Sequence, residues 1–168
     1  MPATYEPIAT TTLGSAASSI TFSTIPGTYT DLVLTLVYLR DTSGSAYPIM
    51  RFNSDTGSNY SGTRLTGDGS SAASARQTNQ TSISIDGEYG SSTTVPGLGI
   101  VHIFSYAGST NKTVLGETSM DKNGSGGVIR RVSLWRNTAA ITSITILEAV
   151  SGNFAAGTTA TLYGILKA

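Results

Sequence analysis

Apolar residues in this chain recur at every second position and almost never at helical spacing, and that period settles which elements it can build. In Ser19-Ile20-Thr21-Phe22-Ser23 the alternation is clean, so a strand there buries one face and wets the other. In Leu32-Val33-Leu34-Thr35-Leu36-Val37-Tyr38-Leu39 both faces are apolar, which predicts a central strand covered on both sides, by a second sheet on one and by a loop or neighbouring subunit on the other. Similar patterns occupy residues 5–13, 49–52, 82–85, 99–106, 112–118, 128–136, 141–148 and 159–166, about ten strands in all. Pro26-Gly27, Asp68-Gly69, Asp86-Gly87, Asn123-Gly124 and Ser151-Gly152-Asn153 supply the tight turns between them. Gly, Thr and β-branched residues interrupt every candidate helix. The pattern predicts an all-β, antiparallel sandwich with no significant helix.

Residues 1–168 read as one domain, since a chain of this length buries roughly 70% of its unfolded surface and needs no disulfide or metal to do so. Residues 1–5 read as a short N-terminal arm. Two stretches, 53–79 and 87–99, are dominated by Ser, Gly and Thr; their larger residues Tyr60, Arg64, Leu65 and Tyr89 favour ordered loops at one end of the sandwich over flexible linker.

Charge narrows the choice of partners. Only 12% of residues are charged, against about 25% in an average domain, and ten basic residues balance ten acidic ones. No basic stripe is present to displace counterions from phosphate, so nucleic acid is not an expected partner. A chain with no net charge lacks the self-repulsion that holds monomers apart, and association with itself or with a large partner is the expectation. The opening Met1-Pro2-Ala3-Thr4-Tyr5-Glu6 has no positive or apolar signal region, and no run approaches the roughly 20 apolar residues of a membrane helix. Synthesis in a cytoplasm and no membrane partner are expected. With no cysteine, disulfides, thiolate metal sites and thiol nucleophiles are absent together.

The residues that carry chemistry elsewhere read as structural here. His102, the single histidine, sits in the strand-like Gly99-Ile100-Val101-His102-Ile103-Phe104 without an orienting partner in sequence. Asp41, Asp55, Asp68, Asp86 and Asp121 fall where Asp bonds its own turn, and Glu117 and Glu148 fall in strands as surface positions. Phe52 to Tyr60 has Asn53, Asp55 and Asn59 at alternating spacing but one carboxylate, so it reads as an Asx-turn loop and not as a calcium loop. Gly67-Asp68-Gly69 and Gly124-Ser125-Gly126-Gly127 precede no helix and are turns, not phosphate cradles. Trp135 reads as a core anchor. No catalytic residue, cofactor site or metal site is expected.

Several segments are similar to those of a known family. Ile8-Ala9-Thr10-Thr11-Thr12-Leu13, Ile20-Thr21-Phe22-Ser23-Thr24-Ile25-Pro26, Thr28-Tyr29-Thr30-Asp31-Leu32, the run from Phe52 to Tyr60, Asn111-Lys112-Thr113-Val114-Leu115, the run from Trp135 to Ile144, Gly152-Asn153-Phe154-Ala155-Ala156-Gly157 and Leu162-Tyr163-Gly164-Ile165 resemble a family of tailed-phage virion proteins. Its members are β-sandwich modules found as capsid decoration or cement proteins and as fibre tips, in phages of cyanobacteria and other aquatic bacteria. The resemblance spans nearly the whole chain and implies a jelly-roll-like, trimeric, non-enzymatic protein located on the virion. It implies a homotrimer that binds the major capsid protein on the outer shell; the alternative is a fibre tip that recognises a host surface glycan. The candidate partner contacts are Pro2, Thr4 and Tyr5 in the arm and Tyr60, Arg64 and Tyr89 in the end loops.

Overall fold

The computed structural model describes residues 4–42, 47–85, 92–150 and 152–166. Twelve strands follow one another, where the alternation predicts about ten: β1 (Tyr5–Thr12), β2 (Ser19–Phe22), β3 (Asp31–Tyr38), β4 (Pro48–Phe52), β5 (Tyr60–Gly67), β6 (Ala72–Gln80), β7 (Ile83–Ser84), β8 (Gly97–Ile103), β9 (Lys112–Asp121), β10 (Gly126–Trp135), β11 (Ile144–Glu148) and β12 (Thr159–Ile165). They form an eight-stranded sheet in the order β1-β12-β3-β8-β9-β10-β5-β6 and a four-stranded sheet in the order β2-β11-β4-β7, with every pairing antiparallel.

The pairing is nested. β1 pairs β12, β2 pairs β11, β3 pairs β8 and β4 pairs β7, as though one long ribbon had been folded back on itself and rolled, with successive pairs falling in alternate sheets. Two hairpins are inserted into that ribbon. β5–β6 lies between β4 and β7 in sequence, β9–β10 between β8 and β11, and both widen the larger sheet.

The added strands β5 and β6 correct the expectation of loops over 53–79: only residues 53–59 and the 68–71 turn are loop. The reason lies in burial. β6 reads Ala-Ala-Ser-Ala-Arg-Gln-Thr-Asn-Gln and is mostly exposed, so no apolar face was needed to hold it, and its backbone bonds to β5 suffice. Of the stretch 87–99, residues 87–91 lie outside the described residues, and β8 starts at Gly97. A side chain there has no room, since a Cβ on Gly97 would run into the Tyr38 ring.

The core lies between the sheets. Leu32, Leu34, Leu36 and Tyr38 of β3 meet Met50 and Phe52 of β4 and Ile144 and Ile146 of β11. Each such side chain contributes about 1.5–3 kcal/mol on burial. At one end, Trp135 packs against Phe52 with centroids 5.4 Å apart and stacks on Tyr60 at 6.3 Å. Trp135 is the core anchor its sequence context predicts. Its indole Nε1–H donates to Asp55 Oδ2 at 2.7 Å, which ties the 53–59 loop to the core.

The turns behave as their residues require. Asn123 and Gly124 both take positive φ, 55° and 109°, and join β9 to β10, while Asp68 Oδ1 accepts the Ser70 and Ser71 amides at 2.8 and 2.7 Å and closes β5–β6. Asp86-Gly87 and Ser151 lie outside the described residues.

Candidate functional site: the outer face of the eight-stranded sheet

Side chains alternate across each strand, so the register of the larger sheet dictates which of them share its outer face. One row runs Val37, Leu98, Ser119, Val128 and Gly67 across β3, β8, β9, β10 and β5, and the next runs Thr35, Ile100, Glu117, Arg130 and Leu65. Small residues at Ser119 and Gly67 leave a groove of about 560 Å³ between larger neighbours, walled by Leu65, Leu98, Ile100 and Val128. Glu117 Oε2 pairs with Arg130 Nη1 along it; both are about half exposed, so the pair adds little to the stability of the fold.

Six large apolar side chains stand open in the middle of this face: Val37, Leu65, Leu98, Ile100, Val128 and Val132. At one corner Tyr5 meets Tyr163 edge-on at 6.4 Å and Phe104 stacks on His102 at 6.2 Å. Tyr5 and Phe104 are exposed too, so eight of the nine exposed large apolar residues among those described share one face, the ninth being Val150. Concentrations of this kind mark interaction surfaces. The rim at β1 and β12 is different in character: Thr10 bonds Thr161 at 3.0 Å and Thr12 bonds Thr159 at 2.9 Å, hydroxyl to hydroxyl.

Strand β3 explains its two-sided apolar sequence only in part. Val33 is buried on the outer face, flanked in register by Tyr163 and His102, while Val37 on the same face is 43% exposed.

The candidate contacts fall out as follows. Thr4 is exposed but its carbonyl accepts the Leu166 amide at 3.1 Å, and Tyr5 is the first residue of β1, so this part of the arm is paired to the sheet and not free. Pro2 and Tyr89 lie outside the described residues. Tyr60 is a correction: it is fully buried, its hydroxyl accepts the Phe52 amide at 3.1 Å, and burial pushes its phenol up to about 12. A ring with no exposed surface cannot meet a glycan or a capsid. Arg64 stands in the middle of β5, not in an end loop, in register with Arg131 on the inward side of the sheet. Tyr60 and Arg64 therefore build no end-loop site.

The acids act as turn and packing groups. Asp55 accepts from Gly57 N at 2.8 Å, Asn59 Nδ2 at 2.9 Å and Trp135 Nε1; burial pushes its carboxyl up, but these donors outweigh it and hold it below the usual range. Its oxygens are spoken for, which accords with an Asx-turn loop. Asp121 accepts from the Asn123 amide at 2.8 Å within its own turn, whereas Asp41 departs from that expectation: its main donor is Asn153 Nδ2 at 2.7 Å, from a distant segment and not from its own turn. Among the described residues no three metal-ligating side chains converge. His102 faces outward between Val33 and Leu115 in register, with no acid opposite it. Glu148 departs from expectation: its side chain is 1% exposed and lies 3.7 Å from Arg40 Nε, a buried ion pair where a surface residue is predicted.

Two features escaped sequence reasoning. Lys112 is fully buried, and its ammonium donates to the carbonyls of Gly108 at 2.7 Å, Thr110 and Thr138, pinning two loops together. The outer-face cluster left a trace in Val128-Ile129-Arg130-Arg131-Val132-Ser133-Leu134-Trp135, where apolar residues fall on both parities, but the strands that complete it are far apart in sequence. The chain matches no protein-family model, no curated protein and no solved structure.

Proposed function

We propose that this chain is a non-enzymatic structural protein of a phage virion, a capsid decoration module that assembles as a homotrimer and binds the major capsid protein on the outer shell. The observation that carries the reading is the gathering, among the described residues, of eight of nine exposed large apolar residues on one face of one sheet. An exposed apolar face of that kind suits a protein whose task is to be packed against copies of itself and a shell. The nested pairing of β1·β12, β2·β11, β3·β8 and β4·β7 supports the resemblance, because a jelly-roll-like sandwich also pairs its strands in a nested, rolled ribbon. A formal net charge of zero removes a barrier to association.

Three equivalent weak contacts per trimer raise avidity by as much as about 10²–10⁴ over one contact, and bridging neighbouring shell subunits opposes the outward pressure of packaged DNA. The experiment has two arms. Sedimentation at micromolar concentration should give three times the 17.3 kDa chain mass, reverting to one on Leu98→Asp with Val128→Asp while the circular dichroism stays that of a β-sandwich. Added to phage heads that lack it, the protein should occupy the shell in an ordered array and raise the temperature of DNA release. A stable monomer, or heads that ignore the protein while host surface glycan binds it, overturns the proposal.

A further inference from the structure

Among the described residues four strands lie at sheet edges, and three of them are guarded. β1 carries Pro7 and a register break between Pro7 and Ala9, β2 has four residues and β7 two. Proline, bulges and brevity are the usual means of keeping an edge from pairing with another chain. β6 has none of them over Ala72–Gln77. It is the last strand of the eight-stranded sheet, nine residues long, and no strand lies beside its far side among the described residues. Its first four side chains, Ala72–Ala75, are small, and Arg76 is its only ionisable group. Asn79, with φ at 53°, and the register break opposite Tyr60 and Gly62 bend only its last turn of pairing.

We infer that the open edge of β6 is a pairing site for β6 of a second copy of this chain, antiparallel about a two-fold axis perpendicular to the sheet. Such an axis leaves both outer faces on the same side, which forces each residue on the axis to oppose itself. The flat run Ala72–Gln77 has its midpoint between Ser74 and Ala75, so the axis passes through one of those two. Arg76 of each copy then faces Ala72 or Ser74 of the other, and no like charges meet. Self-pairing satisfies the edge backbone with an identical partner and continues the outer face across the junction, since Ser74 stands beside Leu65 in register. Heterologous pairing to β1 of another copy meets Pro7 and the bulge instead. A two-fold contact cannot close a ring of three, so this pairing goes beyond the proposed trimer and links one assembly to the next.

The absence of native cysteine makes the test clean. Single cysteines are placed in turn at Ala72, Ala73, Ser74, Ala75, Arg76 and Gln77, and disulfide-linked pairs are followed on non-reducing gels under mild oxidation, with the urea-unfolded chain giving the collisional rate. Residues that oppose themselves lie about 4.5–5.5 Å apart, within disulfide reach, whereas one step along the strand separates the copies to roughly 8 Å or more. Ser74→Cys or Ala75→Cys should cross-link at least tenfold faster than every other position, and setting a lysine opposite Arg76 of the other copy, by Ser74→Lys where Ala75→Cys is the fast variant or by Ala72→Lys where Ser74→Cys is, should slow it at least tenfold. Rates at the collisional level throughout, or fastest at another position, overturn the inference. Trp135 fluorescence checks that each variant is folded. Trimer mass is read separately by sedimentation, so the pairing and the trimer can fail independently.

Discussion

Replacing Asp55 by alanine tests how far one loop carboxylate holds the core together. In the native chain its Oδ2 accepts the indole N–H of Trp135 at 2.7 Å, and Trp135 has no exposed surface. Removing the acceptor leaves a buried donor unpaired, which costs about 1–3 kcal/mol. The bonds from Gly57 N at 2.8 Å and Asn59 Nδ2 at 2.9 Å go as well, each worth about 0.5–1.5 kcal/mol at most because water replaces them in an open loop. Asp55→Ala should therefore cost about 2–4 kcal/mol and lower the midpoint of thermal unfolding by roughly 5–15 °C for a domain of this size. Asp55→Asn should cost less, since its one oxygen can still accept from Trp135 or from Gly57 but its amide now faces a donor. Trp135 is the only tryptophan, so urea unfolding followed by its fluorescence reads the site directly. A double-mutant cycle with Trp135→Phe, followed by circular dichroism, isolates the pair: the loss from Asp55→Ala should shrink by about 1–3 kcal/mol once the indole N–H is gone. A coupling below about 0.5 kcal/mol would refute the argument, because the loop would then owe its place to its own turn and not to the core.

Further outcomes follow from the same contacts. Lys112→Met keeps the bulk of the stem but strips three carbonyls of their shared donor, and should cost about 1–3 kcal/mol by urea unfolding. Gly97→Ala forces a methyl against the Tyr38 ring and the Met120 methyl and should cost about 1–3 kcal/mol, read the same way. The carboxyls of Asp41, Asp55 and Asp68 are held below the usual range, Asp41 first by Asn153 and Asp68 first by the Ser71 amide. Depressed carboxyls favour the folded state above their unfolded pKa near 3.9 and lose that contribution as pH falls through the folded values. Stability measured by Trp135 fluorescence should thus hold flat from pH 7 to about 5 as far as these groups decide it, and decline below about 4; a main loss between pH 5 and 7 would contradict their assignment. Leu65→Ser trims the outer face at an exposed site and should change stability by about 0.5 kcal/mol or less while weakening self-association on sedimentation.

The outer face shows why a site can be visible in parts and invisible as a whole. Val37, Ile100 and Val128 each sit in a segment whose period identifies it as a strand, Leu98 lies in a stretch whose Ser, Gly and Thr read as loop, and nothing in any one segment says that the four side chains point the same way from adjacent strands. Tyr60 is the converse case. In sequence it is an aromatic residue in a Ser/Gly/Thr-rich stretch, the usual dress of an exposed loop; in the fold it is the first residue of β5 and stacks on Trp135, a partner 75 positions along the chain. Glu148 is buried for the same kind of reason, because Arg40 reaches it from the chain end of β3, far away in sequence.

By itself the sequence determined what local physics can determine: strands from the two-residue period, tight turns where Asn-Gly and Asp-Gly tolerate positive φ, acids that bond their own turns, and a Trp anchored in the core. Tertiary structure alone decided which strand lies beside which, because β1 meets β12 across nearly the whole chain and such pairings depend on burial summed over both sheets. It alone made strands of β5 and β6, which have too little apolar surface to announce themselves and exist because β10 and then β5 offer an edge to bond. From those pairings came the apolar outer face and the unguarded edge of β6, the two features on which the protein's proposed associations rest.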